Sequence, residues 1–283
     1  MKKQTVLETL AQAARIRTEQ HKIRLPESRL EQLTNTAPRH LPPFAFEQAL
    51  GTGRLAVIAE VKKASPSKGI IDETFPYGDI ARDYEAAGAD CISVLTEPTQ
   101  FLGSDSYLRE IAALVQIPVL RKDFVVDPYM IREARLLGAD AVLLIVSLLT
   151  DRQLSECIKL ADSLGLSALV ECHDRTEVRR AVAAGARIIG VNNRDLKTFS
   201  VDMVNARNLA DLIPPDVLFV SESGIRTPAD VTAAAEFADA VLVGETLMRA
   251  EDKGKTLTWL TGSVAACPGR SCQREGKGNG ICR

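Results

Sequence analysis

Five places in the chain carry residues spaced by two that could do acid–base or anion chemistry. They are Glu60 and Lys62 in VIAEVKKASPSKG (57–69), Lys122 and Phe124 in RKDF (121–124), Glu171 and His173 in ALVECH (168–173), Asn192 and Arg194 in GVNNRDL (190–196), and Glu222 and Gly224 in SESGI (221–225). Each pair follows a short apolar run and so reads as the end of a strand, where side chains two apart point to the same face. Turned outward, such groups would meet the apolar underside of a covering helix. Turned inward at one end of a sheet, they would meet each other and water. Three cations (Lys62, Lys122, Arg194) and three acids (Glu60, Glu171, Glu222) would then share one mouth. Any one of them alone reads as a solvated strand end or a structural ion pair. Five strands with the same habit favour a site, because clustered charge costs desolvation and shifts pKa values.

Two glycines add an anion site. SESGI (221–225) and LVGET (242–246) each place a glycine, Gly224 and Gly244, at a strand-to-helix turn. Backbone N–H groups at such a corner, next to a helix N-terminus, hold phosphate. The hydroxyl of Ser65 can close the same site from the loop after the first strand.

The elements that must position these residues show as a repeat. AGADCISVL (87–95), LGADAVLLIV (137–146), AGARIIGVN (184–192) and FADAVLVGE (237–245) each read as a helix end, a small-residue turn and a buried strand. Between them lie LAVIAEVK (55–62), IPVLRKDF (117–124), SALVECH (167–173) and VLFVSESG (217–224). Helical segments such as Asp127–Leu137, Asp151–Leu164 and Arg175–Ala184 join the strands, and Thr227-Pro228-Ala229-Asp230 is a marked helix start. Eight apolar strands alternating with helices predict an α/β chain with a parallel sheet covered on its outer face. Over residues 51–262 that is a (β/α)8 TIM barrel. An open doubly wound sheet fits less well, because no phosphate-binding glycine fingerprint follows the first strand. Gly51-Thr52-Gly53 precedes that strand and lacks a third glycine.

Residues 1–50 differ from the rest. Val6, Leu7, Leu10, Ala14 and Arg17 fit a helix with one apolar stripe, and Glu27–Thr34 fits a second, before the prolines 38, 42 and 43. This reads as a helical extension folding over the barrel mouth. Residues 263–283 are glycine-rich and basic, with Cys267, Cys272 and Cys282. Their spacing matches no zinc pattern, so a disordered tail with free thiols and no metal is expected. Cys91, Cys157 and Cys172 lie in strands or helices and read as reduced core residues of a cytoplasmic protein. The net charge of −2 gives no reason to expect nucleic acid, and Ala141–Val146, the longest apolar run, is too short to span a bilayer. The opening Met1-Lys2-Lys3-Gln4 leads into no apolar signal region. A small phosphorylated substrate and a monomeric chain are the expected partnership.

The motifs IAEVKKASPSKG, RKDF, LVE, GVNNRDL, SESGI and LVGE, in this order over about residues 1–262, resemble the indole-3-glycerol-phosphate synthase family of tryptophan biosynthesis. The resemblance implies closure of the pyrrole ring of 1-(2-carboxyphenylamino)-1-deoxyribulose 5-phosphate with loss of CO2 and water, by a cofactor-independent carboxy-lyase. It implies Lys122 as the acid that protonates the ketone oxygen and Lys62 as partner of the substrate carboxylate. Glu171 and Glu60 become the acid/base pair for dehydration, with Asn192, Arg194 and Glu222 as an orienting shell. Phe101, Phe124 and Leu196 cover the aromatic ring, Ser223 contacts substrate, and Ser65, Gly224, Gly244 and Glu245 hold the phosphate. Two positions depart from relatives: Ala64 replaces a lysine that some members carry, and Glu245 replaces a common serine, leaving its backbone N–H for phosphate. A sister barrel such as phosphoribosylanthranilate isomerase would need a Cys/Asp pair that Cys91 and Cys172 do not supply. A non-catalytic phosphoribulose-binding barrel would not need both lysines and three glutamates.

Overall fold

The structure is a computed structural model that describes residues 5–195 and 200–262. Eight parallel strands close into a barrel: β1 (Ala56–Val61), β2 (Cys91–Leu95), β3 (Val119–Lys122), β4 (Ala141–Ile145), β5 (Ser167–Cys172), β6 (Ile188–Asn192), β7 (Leu218–Glu222) and β8 (Ala240–Val243). Each pairs with its sequence neighbour, and β8 closes on β1 with Ala56 opposite Ala240. The helices are α1 (Val6–Arg24), α2 (Glu27–Thr36), α3 (Ala45–Leu50), α4 (Tyr77–Ala86), α5 (Asp105–Leu114), α6 (Pro128–Leu136), α7 (Asp151–Ser163), α8 (Arg175–Ala183), α9 (Val204–Leu209), α10 (Pro228–Ala235), α11 (Glu245–Arg249) and α12 (Lys253–Thr261). None among the described residues is long and apolar enough to cross a membrane.

Strand alternation sorts the core into two parts. Ala56, Ile58, Leu120, Leu143, Leu169, Ile188, Val220 and Leu242 fill the interior, and Phe46 and Leu50 of α3 join them. The Glu47 N–H on α3 donates to Ser167 Oγ at the start of β5, so α3 plugs the N-terminal end. The residues between them, such as Val57, Val119, Val170, Phe219 and Val241, pack outward with the helices. Helix starts are capped as their sequences require. Thr5 with Glu8, Thr150 with Gln153 and Thr227 with Asp230 form reciprocal capping boxes, and Asp127 caps α6 ahead of Pro128.

The repeat has a physical cause. Asp90, Asp140 and Asp239 stand just before a strand, and each accepts the N–H of a residue opening the adjacent strand. These donors are Val57, Val119 and Phe219, at 2.8–2.9 Å. Gly88 and Gly138, two residues earlier, take φ of 89° and 94°, which lets the helix end turn directly into the strand. Arg187 replaces the aspartate in the remaining copy and pairs with Glu47 and Asp162 instead.

Several boundaries differ from the sequence expectation. Strands end at Val61, Lys122, Cys172 and Glu222, so Lys62, Phe124, His173 and Gly224 lie one or two residues past the ladder. After β1 the chain folds into a hairpin pairing Ser65 with Gly69. After β7 it turns through Ser223 and Gly224, at φ 67° and 99°. The second helix runs on to Thr36. Leu196 and the cysteines 267, 272 and 282 lie outside the described residues.

One expectation needs correcting. Charges turned outward on strands do not all meet apolar helix surface. Arg121 and Asp123 flank Lys122 on the outer face and are buried there. Arg121 donates to Thr96, Met130 O, Glu133 and Asp105. Asp123 accepts from Thr96 Oγ1 at 2.6 Å and from Arg17 Nη2 of α1 at 2.7 Å. His21 Nδ1 to Glu133, at 2.6 Å, and Lys22 to Asp127, at 2.6 Å, complete the clamp of α1 on β3 and α6. His21, Asp105 and Glu133 have the spacing of a metal site, but the Arg121 guanidinium already bonds both of those acids.

Candidate active site

A cavity of about 430 Å³ opens at the C-terminal ends of the strands. Glu60, Lys62, Lys122, Glu171, Asn192, Arg194 and Glu222 all line it, as do Phe101, Phe124, Ser223, Ser65, Gly224, Gly244 and Glu245. Val6, Leu7 and Leu10 of α1 line it too. Neither Cys91 nor Cys172 does; both thiols are buried, and burial pushes them up from the ordinary thiol range.

Strand parity places the charged groups. Glu60 and Lys62 continue the inward row of Ala56 and Ile58, and their side chains pair with each other. Lys122 follows Leu120, Glu171 follows Leu169, and Glu222 follows Val220. Lys122 Nζ sits between the two acids, 3.4 Å from Glu171 Oε2 and 3.4 Å from Glu222 Oε2. Glycines make the room: a Cβ on Gly190 would strike the Glu222 carboxylate, and one on Gly244 would strike that of Glu60.

The two acids are pushed apart electrostatically, although Lys122 is equidistant from both. Burial raises each. Around Glu171, Lys122, His173 and the Asn192 amide (3.3 Å) outweigh burial and hold its carboxyl below the ordinary value. Glu222 has only Lys122 to oppose burial. Its Oε1 is buried without a hydrogen-bond partner, Glu171 and Glu60 repel its charge, and its pKa is pushed up to about 8. Burial would lower Lys122, but Glu222, Glu171 and Glu60 outweigh it and keep the ammonium charged. The site thus sets a carboxyl that favours its ionised form beside one that favours its proton, with an ammonium between them, an arrangement able to give and take protons.

At the other wall, Ser65, Gly224 and Gly244 converge, with α11 starting directly after Gly244. The Glu245 carboxylate is held below its ordinary value. Burial would raise it, but Lys68, Arg194 and Arg249 prevail. It pairs with Lys68 at 3.4 Å and Arg194 at 3.3 Å. Phe101 and Phe124 lie with ring centroids 6.0 Å apart.

Some lining residues escaped the sequence reading. Ser67, Asp123, Arg226, Thr246 and Arg249 belong to the cavity wall. Arg226 stands past the turn at Ser223 and Gly224, where strand alternation no longer applies. Arg249 is one helical turn after Glu245. Asp123 gives no such signal, because parity turns it away from Lys122.

The chain matches the family model described as indole-3-glycerol phosphate synthase over residues 7–260. It is 56% identical over 264 residues to the protein of that name from Ruminiclostridium cellulolyticum, covering 92% of this chain and 100% of the relative. It is 49% identical over 261 residues to the one from Lactiplantibacillus plantarum, covering 92% of this chain and 99% of the relative. Among solved structures, 3-hexulose-6-phosphate synthase from Salmonella typhimurium superposes with a TM-score of 0.61 at 16% identity. That match covers 75% of this chain and 99% of the other, a likeness of fold alone. With the family model matched over nearly the whole barrel and relatives about half identical, the chain belongs to the indole-3-glycerol phosphate synthase family.

Proposed function

We propose that this chain closes the pyrrole ring of 1-(2-carboxyphenylamino)-1-deoxyribulose 5-phosphate, releasing CO2 and water, as a cofactor-independent carboxy-lyase. The observation that carries the residue roles is Lys122, charged and held 3.4 Å from two carboxyl groups of opposite protonation tendency. The carboxylate-bearing ring carbon attacks the ketone, and Lys122 gives its proton to the ketone oxygen. Ring closure leaves an iminium that accepts the electron pair released with CO2, so no external electron sink is needed. Dehydration follows: Glu171, the ionised acid, takes the proton from carbon, and the hydroxyl leaves as water with a proton from the Glu60/Lys62 pair. Proton transfers of this kind are each worth about 10²–10⁴-fold.

Lys62 also meets the substrate carboxylate before it leaves. Glu222, Asn192, Arg194 and Ser223 orient the reacting groups, and Phe101 and Phe124 bound the aromatic ring. Ser65 and the backbone N–H groups around Gly224, Gly244 and Glu245 take the phosphate, with Lys68 and Arg194 drawn from Glu245 toward it. Residues 1–50 act as a lid over the barrel of residues 51–262, with Val6, Leu7 and Leu10 of α1 closing the apolar end of the cavity. The protein works as a monomer in the cytoplasm. Purified chain mixed with synthetic substrate should develop indole fluorescence; its absence would refute the reaction.

A further inference from the structure

Glu97 is a buried acid that the proposed reaction does not use. It stands two residues past the end of β2, at the foot of the loop that leads to α5, and it is fully shielded from water. It does not line the cavity. A buried carboxylate is costly unless donors surround it. Here four do, and all belong to residues 99–101. Oε1 accepts the Thr99 N–H at 2.8 Å and the Thr99 hydroxyl, and Oε2 accepts the N–H groups of Gln100 at 2.8 Å and Phe101 at 3.0 Å. Three successive backbone N–H groups close around one carboxylate, as they would around a bound anion.

The rest of the loop is folded about the same residue. The Glu97 carbonyl accepts the Gly103 N–H at 2.8 Å. Gly103 passes so close to β2 that a Cβ there would strike the Leu95 carbonyl, and Leu102 before it takes φ of 51°. At the foot, Thr96 bonds Asp123 and Arg121, the outward pair on β3. What the loop presents to the site is Phe101. Its ring lines the cavity, 6.0 Å from that of Phe124. Glu97 holds its N–H, and its carbonyl accepts the Ala64 N–H at 3.2 Å. With both backbone groups held, the direction in which the ring leaves the loop is set.

We propose that Glu97 is a positioning residue: its carboxylate folds the loop after β2 and so aims the Phe101 ring at the aromatic ring of the substrate. It touches no substrate and acts through Phe101. This rests on the reaction proposed above, in which Phe101 bounds that ring.

The test is a double-mutant cycle on the full-length chain, read by indole fluorescence. Glu97→Gln keeps the shape but puts an NH2 where one oxygen accepted two hydrogens, so one pair of donors faces a donor. KM should rise about 10-fold, the effect of losing a hydrogen bond to a charged group, and kcat should change less. Unfolding of part of the sample would lower kcat and leave KM as it was, so the rise in KM separates the loop from the fold. Phe101→Ala should raise KM about 10–10²-fold through loss of ring burial and aromatic contact. The double variant should match Phe101→Ala alone to within about 2-fold. Thr99→Val removes one donor and leaves the carboxylate, which keeps the cycle readable if Glu97→Gln does not fold. It should raise KM about 3-fold, and not at all in the Phe101→Ala background. An unchanged KM in Glu97→Gln would overturn the proposal. So would effects that multiply in either double variant, since a carboxylate that merely supports the fold would act independently of the Phe101 ring. A wild-type chain that forms no indole product would instead overturn the reaction, and this role with it.

Discussion

Glu222→Gln should make the protein more stable and less active. Glu222 is fully buried, one of its oxygens has no partner, and its pKa is raised from 4.5 to about 8. Between those values the folded protein holds a proton that the unfolded chain has released. Stability from this group is therefore fully present below 4.5 and is lost as pH rises toward about 8. At about 1.4 kcal/mol per unit, the gap sets an upper limit of about 5 kcal/mol. Because Glu222 shares Lys122 with Glu171, about 2–4 kcal/mol is the realistic cost. Glutamine keeps the shape and removes the titration. At about 2–4 °C per kcal/mol for a domain of this size, the variant should melt about 5–15 °C higher than wild type at the alkaline end of the window. At the acidic end the two should nearly coincide. The same substitution should also lower kcat, because Glu222 helps to orient the reacting groups beside Lys122. Thermal unfolding of both proteins across the window decides it. Parallel melting curves, or a less stable variant at alkaline pH, would refute the argument that Glu222 is held protonated against its own preference.

Other outcomes follow from single contacts. Lys122→Met should abolish detectable ring closure while equilibrium dialysis still shows substrate bound; near-normal kcat would remove it as the first acid. Ser65→Ala should raise KM by about 10-fold, the worth of one hydrogen bond to a charged group, with a smaller effect on kcat. The reverse pattern would exclude a phosphate contact. Arg17→Met should cost about 2–4 kcal/mol in urea unfolding at neutral pH, somewhat under the usual penalty for breaking a buried ion pair, because Arg121 remains 3.6 Å from Asp123. Burial would raise the Asp123 carboxyl, but Arg17 and Arg121 hold it below 3.8. Its contribution is thus present above 3.8 and fades as pH falls below it, so the variant's deficit should shrink in acid.

The barrel was legible because its physics is local and repeated. A strand buried on both faces must be apolar throughout, and in several units a glycine turns the helix end into the next strand. Both signals recur in AGADCISVL and LGADAVLLIV. The inward charges were legible for the same reason: Glu60, Glu171 and Glu222 each continue a parity set by the apolar residues before them. What stayed hidden depends on contacts between distant segments. Nothing near Arg17 signals that it meets Asp123, 106 positions away, and a cation on an apolar helix stripe looks like an exception to the stripe. Strand ends were overrun by one or two residues, since apolar pattern does not record where ladder hydrogen bonds stop. Nor does sequence show which of two equivalent carboxylates will ionise. That is decided by Asn192 and His173 standing beside Glu171 while Glu222 Oε1 has no donor.

β3 shows how one short strand serves two sides at once. Lys122 points inward to Glu171 and Glu222, and its neighbours Arg121 and Asp123 point outward to α1, α5 and α6. A one-residue slip would exchange these sets, placing a guanidinium and a carboxylate in the cavity and the lysine under a helix. The outward pairs therefore do more than hold α1. They hold the register that aims Lys122. Because α1 also brings Val6, Leu7 and Leu10 to the cavity, the segment that closes the site and the strand that carries its central lysine are clamped as one unit. Loosening Arg17 should then disturb both ends together, raising KM through the lid and lowering kcat through Lys122. A substitution confined to Leu7 should raise KM alone.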